Sequence, residues 1–332
     1  MKKALFWEKE DEQKVRCQLC PHHCLLTDND TGLCRVRQNR EGVLYALTYG
    51  KVVSIHLDPV EKKPLYHFFP GRNILSIGSV GCNLRCQFCQ NWEISQKGMD
   101  DFVLESWDPE KLLQRVVAEH SIGLAYTYNE PFIWWEFVRD TARLIHQKNL
   151  SNVLVTNGYV EEEPLRGILP YIDAMNIDLK SMDDHFYRVT CGGSLSPVLR
   201  TIELSVQAGV HVEVTNLLIP GLNDQTELIE QLVSFIASLS PDIPLHFSRF
   251  FPAFRLNVSP TPGTTLERAY QIGRKKLRFV YLGNVEFGES QCTRCPFCGE
   301  KVVSRQGYSI DTGGLLHNRC RNCGRVLPIW NG

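Results

Sequence analysis

The chain lacks a surplus of charge: across its 332 residues, 36 Lys and Arg face 37 Asp and Glu, for a net charge of −1. Without a basic excess there is no electrostatic footprint for tracking nucleic acid or for binding an anionic membrane surface. A long uncharged apolar run is also missing, so no membrane-spanning helix is expected. The opening Met1-Lys2-Lys3-Ala4-Leu5-Phe6-Trp7-Glu8-Lys9-Glu10 has no apolar core of the kind a secretory signal carries. Internal repeats, coiled-coil heptads and low-complexity tracts are absent as well. What remains is the expectation of a soluble, cytoplasmic protein. Its 43% hydrophobic and 22% charged residues are enough for a sizeable buried core.

Cysteine is plentiful, and its distribution is uneven. The thirteen cysteines fall into three groups: Cys17, Cys20, Cys24 and Cys34; then Cys82, Cys86 and Cys89; then Cys292, Cys295, Cys298, Cys320 and Cys323. Only Cys191 stands apart. A disulfide scaffold would scatter them, whereas tight groups in an intracellular chain point to metal.

Three regions are expected. Residues 1–70 form an N-terminal Cys-rich segment ending near the Pro-punctuated loop Asp58-Pro59-Val60-Glu61-Lys62-Lys63-Pro64. Residues 71–285 form a core domain, and residues 286–332 a Gly- and Cys-rich tail. In the core, apolar runs predict strands at 74–78, 122–127, 152–156, 172–178, 210–217 and 244–250. Helical patterns lie between them, the clearest at 109–120, where Asp108 can cap and Pro109 suits the first turn. A second helix is predicted at 225–239, with Asn223-Asp224 as its cap, and a third at 132–146. Strand–helix alternation predicts an α/β fold with parallel strands and right-handed crossovers. The expected architecture is a partial (β/α)6 barrel flanked by two small Cys-rich modules, with an open doubly wound sheet as the alternative.

The central triplet reads Gly81-Cys82-Asn83-Leu84-Arg85-Cys86-Gln87-Phe88-Cys89, directly after the first predicted strand. Three thiolates on one short loop can hold three irons of a [4Fe–4S] cluster and leave the fourth without a protein ligand. A vacant position marks a catalytic metal site, because structural sites fill every position. The competing reading is a zinc knuckle that borrows a fourth Cys, yet each flanking group has enough ligands of its own. Further polar residues end the later strands, where parallel β/α folds gather their chemistry.

The spacing of this triplet, with an aromatic residue before its third Cys, resembles the radical S-adenosylmethionine superfamily. The core resembles its pyruvate formate-lyase activating enzyme group. More narrowly, the chain resembles the AmmeMemoRadiSam system radical S-adenosylmethionine enzymes, through Asp58–His67, Gln90-Asn91-Trp92-Glu93-Ile94-Ser95 and Ile219-Pro220-Gly221-Leu222-Asn223-Asp224. The resemblance implies that S-adenosylmethionine chelates the vacant iron and is cleaved to a 5′-deoxyadenosyl radical. It also implies cofactor-binding roles for several strand-end residues. Glu130, in Tyr128-Asn129-Glu130-Pro131, stands where the group has the Glu of Gly-Gly-Glu-Pro and would accept the methionine amino group. Asn129 is carried over by position, since both glycines are replaced. Asn157 and Gly158 match a Thr-Asn-Gly turn, and Asp178 and Lys180 match Asp-Leu-Lys, with the Lys paired to the methionine carboxylate. The group's Pro-Tyr-His after the sixth strand is missing, since this chain reads Arg249-Phe250-Phe251-Pro252. The bland readings are a helix-start Glu130, a surface ion pair for Asp178 and Lys180, and a plain turn at Asn157.

In the tail, 21 residues separate two Cys-x2-Cys-Gly knuckles, Cys295/Cys298 and Cys320/Cys323. They predict a closed four-thiolate Zn2+ ribbon, with a single iron as competitor. The N-terminal Cys17, Cys20, Cys24 and Cys34 predict either a second zinc site or an auxiliary iron–sulfur cluster. His22 and His23 are expected to be bystanders, Cys292 a spare thiol and Cys191 a reduced loop thiol.

The expected function is radical hydrogen abstraction from an unidentified substrate. The resemblance implies a protein glycine as target, a flavodoxin or ferredoxin as electron donor and a Memo-like partner. The alternatives are radical modification of RNA or a metabolite, and a non-catalytic iron–sulfur or zinc scaffold.

Overall fold

The computed structural model describes residues 1–286 and 288–331. Its centre is an eight-stranded sheet. Strand β1 (Ser54–Pro59) runs antiparallel to β2 (Asn73–Gly78) at one edge. Then follow β3 (Gly123–Tyr126), β4 (Ser151–Thr156), β5 (Ala174–Asp178), β6 (His211–Leu218), β7 (Leu245–Arg249) and β8 (Val280–Gly283). Spatial order follows chain order throughout, and β2 to β8 are parallel. A doubly wound sheet reverses its strand order at a switch point; this one never does. Among the described residues, six helices of seven residues or more link the seven parallel strands: α1 (Pro109–Ala118), α2 (Trp135–His146), α3 (Glu162–Ile168), α4 (Ser196–Gln207), α5 (Thr226–Leu239) and α6 (Gly263–Arg274). The outcome is the expected six strand–helix units in a barrel that stays unclosed between β8 and β1, with β8 and β1 as additions that the apolar runs did not reveal.

Alternation along the strands divides the core into two layers. Leu75, Ile77, Leu124, Leu154, Met175 and Ile177 point outward and pack with helix residues such as Leu112, Val116, Phe137 and Ile202. Inward-facing Ala125, Val153 and Ala174 lie in register across three strands. They pack with Val60, Leu65, Phe68 and Ile74 into an apolar plug. Small residues on β3 and β5 leave room for that plug, which comes from the loop after β1. On the β6–β8 side the inward positions are polar instead, carrying Glu213, Thr215, His246, Ser248 and Tyr281.

The Asp108 cap forms as expected, with its carboxylate accepting from Lys111 N–H at 2.8 Å and Pro109 in the first turn. The α5 cap does not. That helix begins at Thr226 after Gln225, whose side chain makes no capping bond. Asn223 turns away instead, accepting from Ile219 N–H (2.6 Å) and donating to the carbonyls of Lys180 (2.6 Å) and Leu217 (2.8 Å). Asp224 accepts from Gly221 N–H. The loop's own demand for donors and acceptors outcompetes the helix end.

The first segment forms two small three-stranded sheets, and the tail a three-stranded sheet plus a hairpin. The tail bridges the gap in the barrel. On the β8 side, Thr293 Oγ1 lies 2.9 Å from Tyr281 Oη. Toward β1, Arg305 donates to the Tyr66 carbonyl (2.7 Å), and Trp330 exchanges backbone bonds with His67 and Phe69. Among the described residues no helix is long and apolar enough to cross a membrane.

Candidate active site

The cluster loop leaves β2 through Gly81, whose φ of +85° a side chain would resist. A Cβ there would also lie 2.4 Å from the Cys34 carbonyl, so the N-terminal Cys group packs directly behind this loop. Asn129 clamps the same loop: its Oδ1 accepts from Ser79 N–H (3.0 Å), and its Nδ2 donates to the carbonyls of Val80 and Gly81. Asn83 donates to the Tyr159 carbonyl (2.6 Å), and His22 Nε2 lies 2.7 Å from the Asn83 carbonyl. His22 is therefore no bystander. It ties the first segment to the loop, while His23 pairs with Glu161.

Cys82, Cys86 and Cys89 line one cavity of about 380 Å³ at the carboxyl ends of the strands. Glu130, Asn129, Asn157, Asp178 and Lys180 line it too. The strand-end residues named from the sequence thus converge on the triplet. Asn157 Nδ2 lies 3.5 Å from Cys82 Sγ and 3.0 Å from Asn83 Oδ1. Lys180 Nζ lies 3.0 Å from Asp178 Oδ2. Burial works against the Lys180 ammonium, but Asp178, Cys86 and Cys191 outweigh it and hold the pKa well above the ordinary lysine value.

Glu130 is buried, and its two oxygens accept from Phe132 N–H, Thr156 Oγ1 and Asn157 N–H at 2.7–2.9 Å. It also heads a short 3-10 turn at Pro131–Trp134, so the helix-start reading and the cavity position coincide. Burial pushes its carboxyl up to about 7. The Asn129 side chain, by contrast, is fully engaged by the loop and has no donor left for a ligand.

Cys191 departs from expectation. It is no loop thiol: it ends a π-helical turn at Tyr187–Cys191, is fully buried, and sits against the triplet. Arg85 N–H donates to its carbonyl at 2.7 Å. A hydrogen bond from the Cys191 thiol holds Cys86 below the ordinary thiol pKa, whereas burial pushes Cys82 and Cys89 up. Arg249 keeps its strand-end position and donates to the Thr261 carbonyl.

The thiol groups differ in spacing. Cys295, Cys298, Cys320 and Cys323 have all sulfurs within 4.8 Å of one another, the single such group of Cys, His, Asp or Glu ligands among the described residues. Pairs Cys295–Cys323 and Cys298–Cys320 are 3.6 Å apart. Tetrahedral zinc with 2.3 Å bonds requires about 3.8 Å between sulfurs, so this group suits one ion. Cys82, Cys86 and Cys89 are not drawn together in this way, as suits a polynuclear cluster. The N-terminal four are also wider apart, although all line one small enclosed pocket with His22 and Arg37.

A second cavity of about 960 Å³ adjoins the first, sharing Lys62, Pro64, Tyr128, Ser248 and Asn284. Its walls come from all three regions: Asp58, Glu61 and Lys63 from the first, His246 from the barrel, Tyr308 from the tail. Asp58 accepts from Lys62 (3.0 Å), Lys63 (2.8 Å) and Tyr128 Oη (2.6 Å). Burial opposes ionisation of Asp58, but these partners hold its carboxyl far below the usual range. The string Asp58–Pro64 was visible in the sequence; its place as a chamber wall was not. Tyr128 was legible only as a strand-end residue and His246 was missed, because their place in this chamber appears only when strands separated in sequence are brought side by side.

An unclosed parallel β/α barrel with three thiols at the carboxyl end of its first parallel strand, facing buried acidic and basic side chains, defines the iron–sulfur radical class of barrels. The chain belongs to the radical SAM superfamily, whose family description matches residues 76–233. It is similar along 99% of its length to an uncharacterized Methanocaldococcus jannaschii protein, MJ0808, at 42% identity and with 99% of that protein covered. The Escherichia coli pyruvate formate-lyase 1-activating enzyme is 26% identical over 161 residues, 47% of this chain and 65% of that one. Among solved structures, TYW1 with a lysine-pyruvate adduct bound superposes with a TM-score of 0.50 at 16% identity, covering 73% of this chain and 90% of that one. Membership implies a [4Fe–4S] cluster and S-adenosylmethionine. The donor set fits both: three soft thiols for iron, and a carboxylate and an ammonium for an amino acid end.

Proposed function

We propose that this protein is an enzyme that cleaves S-adenosylmethionine reductively and uses the resulting radical to take hydrogen from a substrate in the adjoining chamber. The observation that carries this reading is the convergence of the thiol triplet with Glu130, Asn157, Asp178 and Lys180 on one cavity. Bound S-adenosylmethionine and cluster supply the 5′-deoxyadenosyl radical; the protein binds, orients and shields. Cys82, Cys86 and Cys89 hold the cluster. Lys180, steadied by Asp178, neutralises the methionine carboxylate, and Glu130 faces the amino group. Asn129 acts on the loop rather than on the ligand. Anaerobic reconstitution with iron, sulfide and dithionite tests the reading: 5′-deoxyadenosine should form with S-adenosylmethionine, and its absence would sink the enzyme assignment.

Lys180→Met should raise the KM for S-adenosylmethionine by roughly 10- to 150-fold, the loss of one charge-assisted hydrogen bond of about 1.5–3 kcal/mol. Equilibrium binding of S-adenosylmethionine to the oxidised protein checks this without turnover.

The activating-enzyme relatives support a protein glycine as the target and a flavodoxin or ferredoxin as reductant. The motif strings around Asp58–His67 and Ile219–Asp224 support the AmmeMemoRadiSam assignment with a Memo-like partner, in the cytoplasm. For the flanking modules we assign zinc to the tail and an auxiliary iron–sulfur cluster to the N-terminal group, on the sulfur spacings given above. The contact of Gly81 with the Cys34 carbonyl puts that group beside the catalytic loop, where an electron relay belongs. Metal analysis should then find one zinc per chain, lost in Cys298→Ser. Iron should fall to the amount of one cluster in Cys20→Ser; unchanged iron would favour a second zinc site.

A further inference from the structure

His246 carries a feature that the cluster chemistry does not use. Its Nε2 lies 2.6 Å from Glu213 Oε2, in the barrel interior. Both residues are buried, and Glu213 is fixed from three sides: it also accepts from His67 N–H at 2.7 Å and pairs with His211 Nε2 at 3.0 Å. Burial opposes ionisation of Glu213, but His211 and His246 hold its carboxyl well below the usual value, so it is an anion that can only accept. With Nε2 facing that carboxylate, the neutral form of the ring carries its proton on Nε2 and leaves Nδ1 with a bare lone pair.

The ring cannot turn away. It stacks on Tyr281 (5.2 Å between centroids, 29° between planes) and meets Tyr66 edge-on at 4.8 Å. Its Nδ1 has no hydrogen-bond partner among the described residues, is not among the enclosed unpartnered polar atoms, and belongs to a residue lining the 960 Å³ chamber. A carboxylate-oriented imidazole with its free nitrogen opening on a cavity is a proton acceptor in search of a donor.

We propose that His246 Nδ1 is the acceptor this chamber offers to its substrate, binding an N–H or O–H group next to the reacting carbon, with Glu213 as its positioning residue. The substrate class is thus an amide, amine or alcohol. The assignment rests on the reading of the chamber as the substrate site. When hydrogen leaves the neighbouring carbon, the N–H or O–H proton passes to Nδ1 as the electron density shifts toward that carbon. The imidazolium formed is balanced by Glu213. Tyr66, from the loop after β1, and Tyr281, from β8, face the ring; behind them His67 Nε2 lies 2.7 Å from Tyr281 Oη, and the Arg305 guanidinium of the tail stands 4.1 Å from the Tyr66 ring. Asp58, Glu61, Lys62 and Lys63 line the same chamber.

The test uses the full holoprotein, cluster oxidised, with 15N-labelled histidine and N-methylacetamide as the N–H probe. Long-range 1H–15N correlation should show His246 protonated on Nε2 and bare on Nδ1, identified by the signals missing in His246→Gln. The probe should shift the Nδ1 resonance saturably, and Glu213→Gln should weaken that shift by releasing the ring. A proton on Nδ1, or an Nδ1 signal that the probe does not move, overturns the proposal. Substrate-free 5′-deoxyadenosine formation by the wild type is measured on the same samples. If the wild type makes no 5′-deoxyadenosine, the enzyme reading fails, and the tautomer and probe results still decide whether the acceptor site exists.

Discussion

Alanine at Cys82 should leave a folded chain that forms no detectable 5′-deoxyadenosine, a drop of at least about a thousandfold, or roughly 4 kcal/mol of barrier. The same is expected at Cys86 and Cys89. The argument has two parts. A cluster held by three thiolates has no spare ligand on this loop, so losing one leaves two irons anchored. The loop itself does not depend on the sulfurs for its shape. Cys82 Sγ receives only Leu84 N–H at 3.3 Å and Asn157 Nδ2 at 3.5 Å, whereas Asn129, Asn83 and His22 hold the backbone with shorter bonds. Iron content and circular dichroism therefore separate loss of cluster from loss of fold. Cys191→Ala is the informative control. It meets the triplet's loop through its backbone, its carbonyl accepting from Arg85 N–H, without belonging to the triplet, so cluster content and 5′-deoxyadenosine formation should both survive. Failure of that variant would make Cys191 a ligand.

The second large effect is on stability. Arg37 and Glu136 form an ion pair with both side chains 1% exposed, at 3.0 and 3.2 Å. Glu136 also accepts from Leu5 N–H at 2.8 Å, and Arg37 donates to the Leu5 carbonyl. Glu136→Ala strands the guanidinium in the core and should cost about 3–5 kcal/mol, a large share of the roughly 5–15 kcal/mol typical of a folded domain. Anaerobic urea unfolding measures it. Removing both charges, as Arg37→Met with Glu136→Leu, should recover most of the loss, because a well-packed apolar pair replaces a pair that was expensive to bury. If the double variant is as unstable as the single one, the pair contributes through packing around the N-terminal Cys pocket rather than through charge.

Much of this site could be read along the chain because its parts are local. The triplet, Asn157-Gly158 and Asp178-Leu179-Lys180 are short strings that follow their strands, and strand ends in a parallel sheet meet on one rim. What the chain hid depends on pairing across distance. Glu213 and His246 are 33 residues apart and meet because β6 and β7 run in register, with Thr215 opposite His246. Cys191 reaches Cys86 through a turn whose position no periodicity marks. Asn129 was legible as a position, but whether its amide faces ligand or loop depends on where residues 79–81 run. The strand β8 was hidden by its brevity, four residues beside the Gly-rich start of the tail.

The tail's bridge across the open side of the barrel also has a meaning in time. His67 is joined to Pro328 across 261 positions, and Tyr66 to Arg305 across 239. During synthesis, which adds about 5–20 residues per second, neither contact can exist until those late residues have left the ribosome. The triplet, Glu130, Asn157, Asp178 and Lys180 are all synthesised by residue 180, more than a hundred residues earlier. For several seconds the nascent barrel therefore stands with its flank unspanned, and the tail that ties β8 to the loop after β1 is the last piece to arrive.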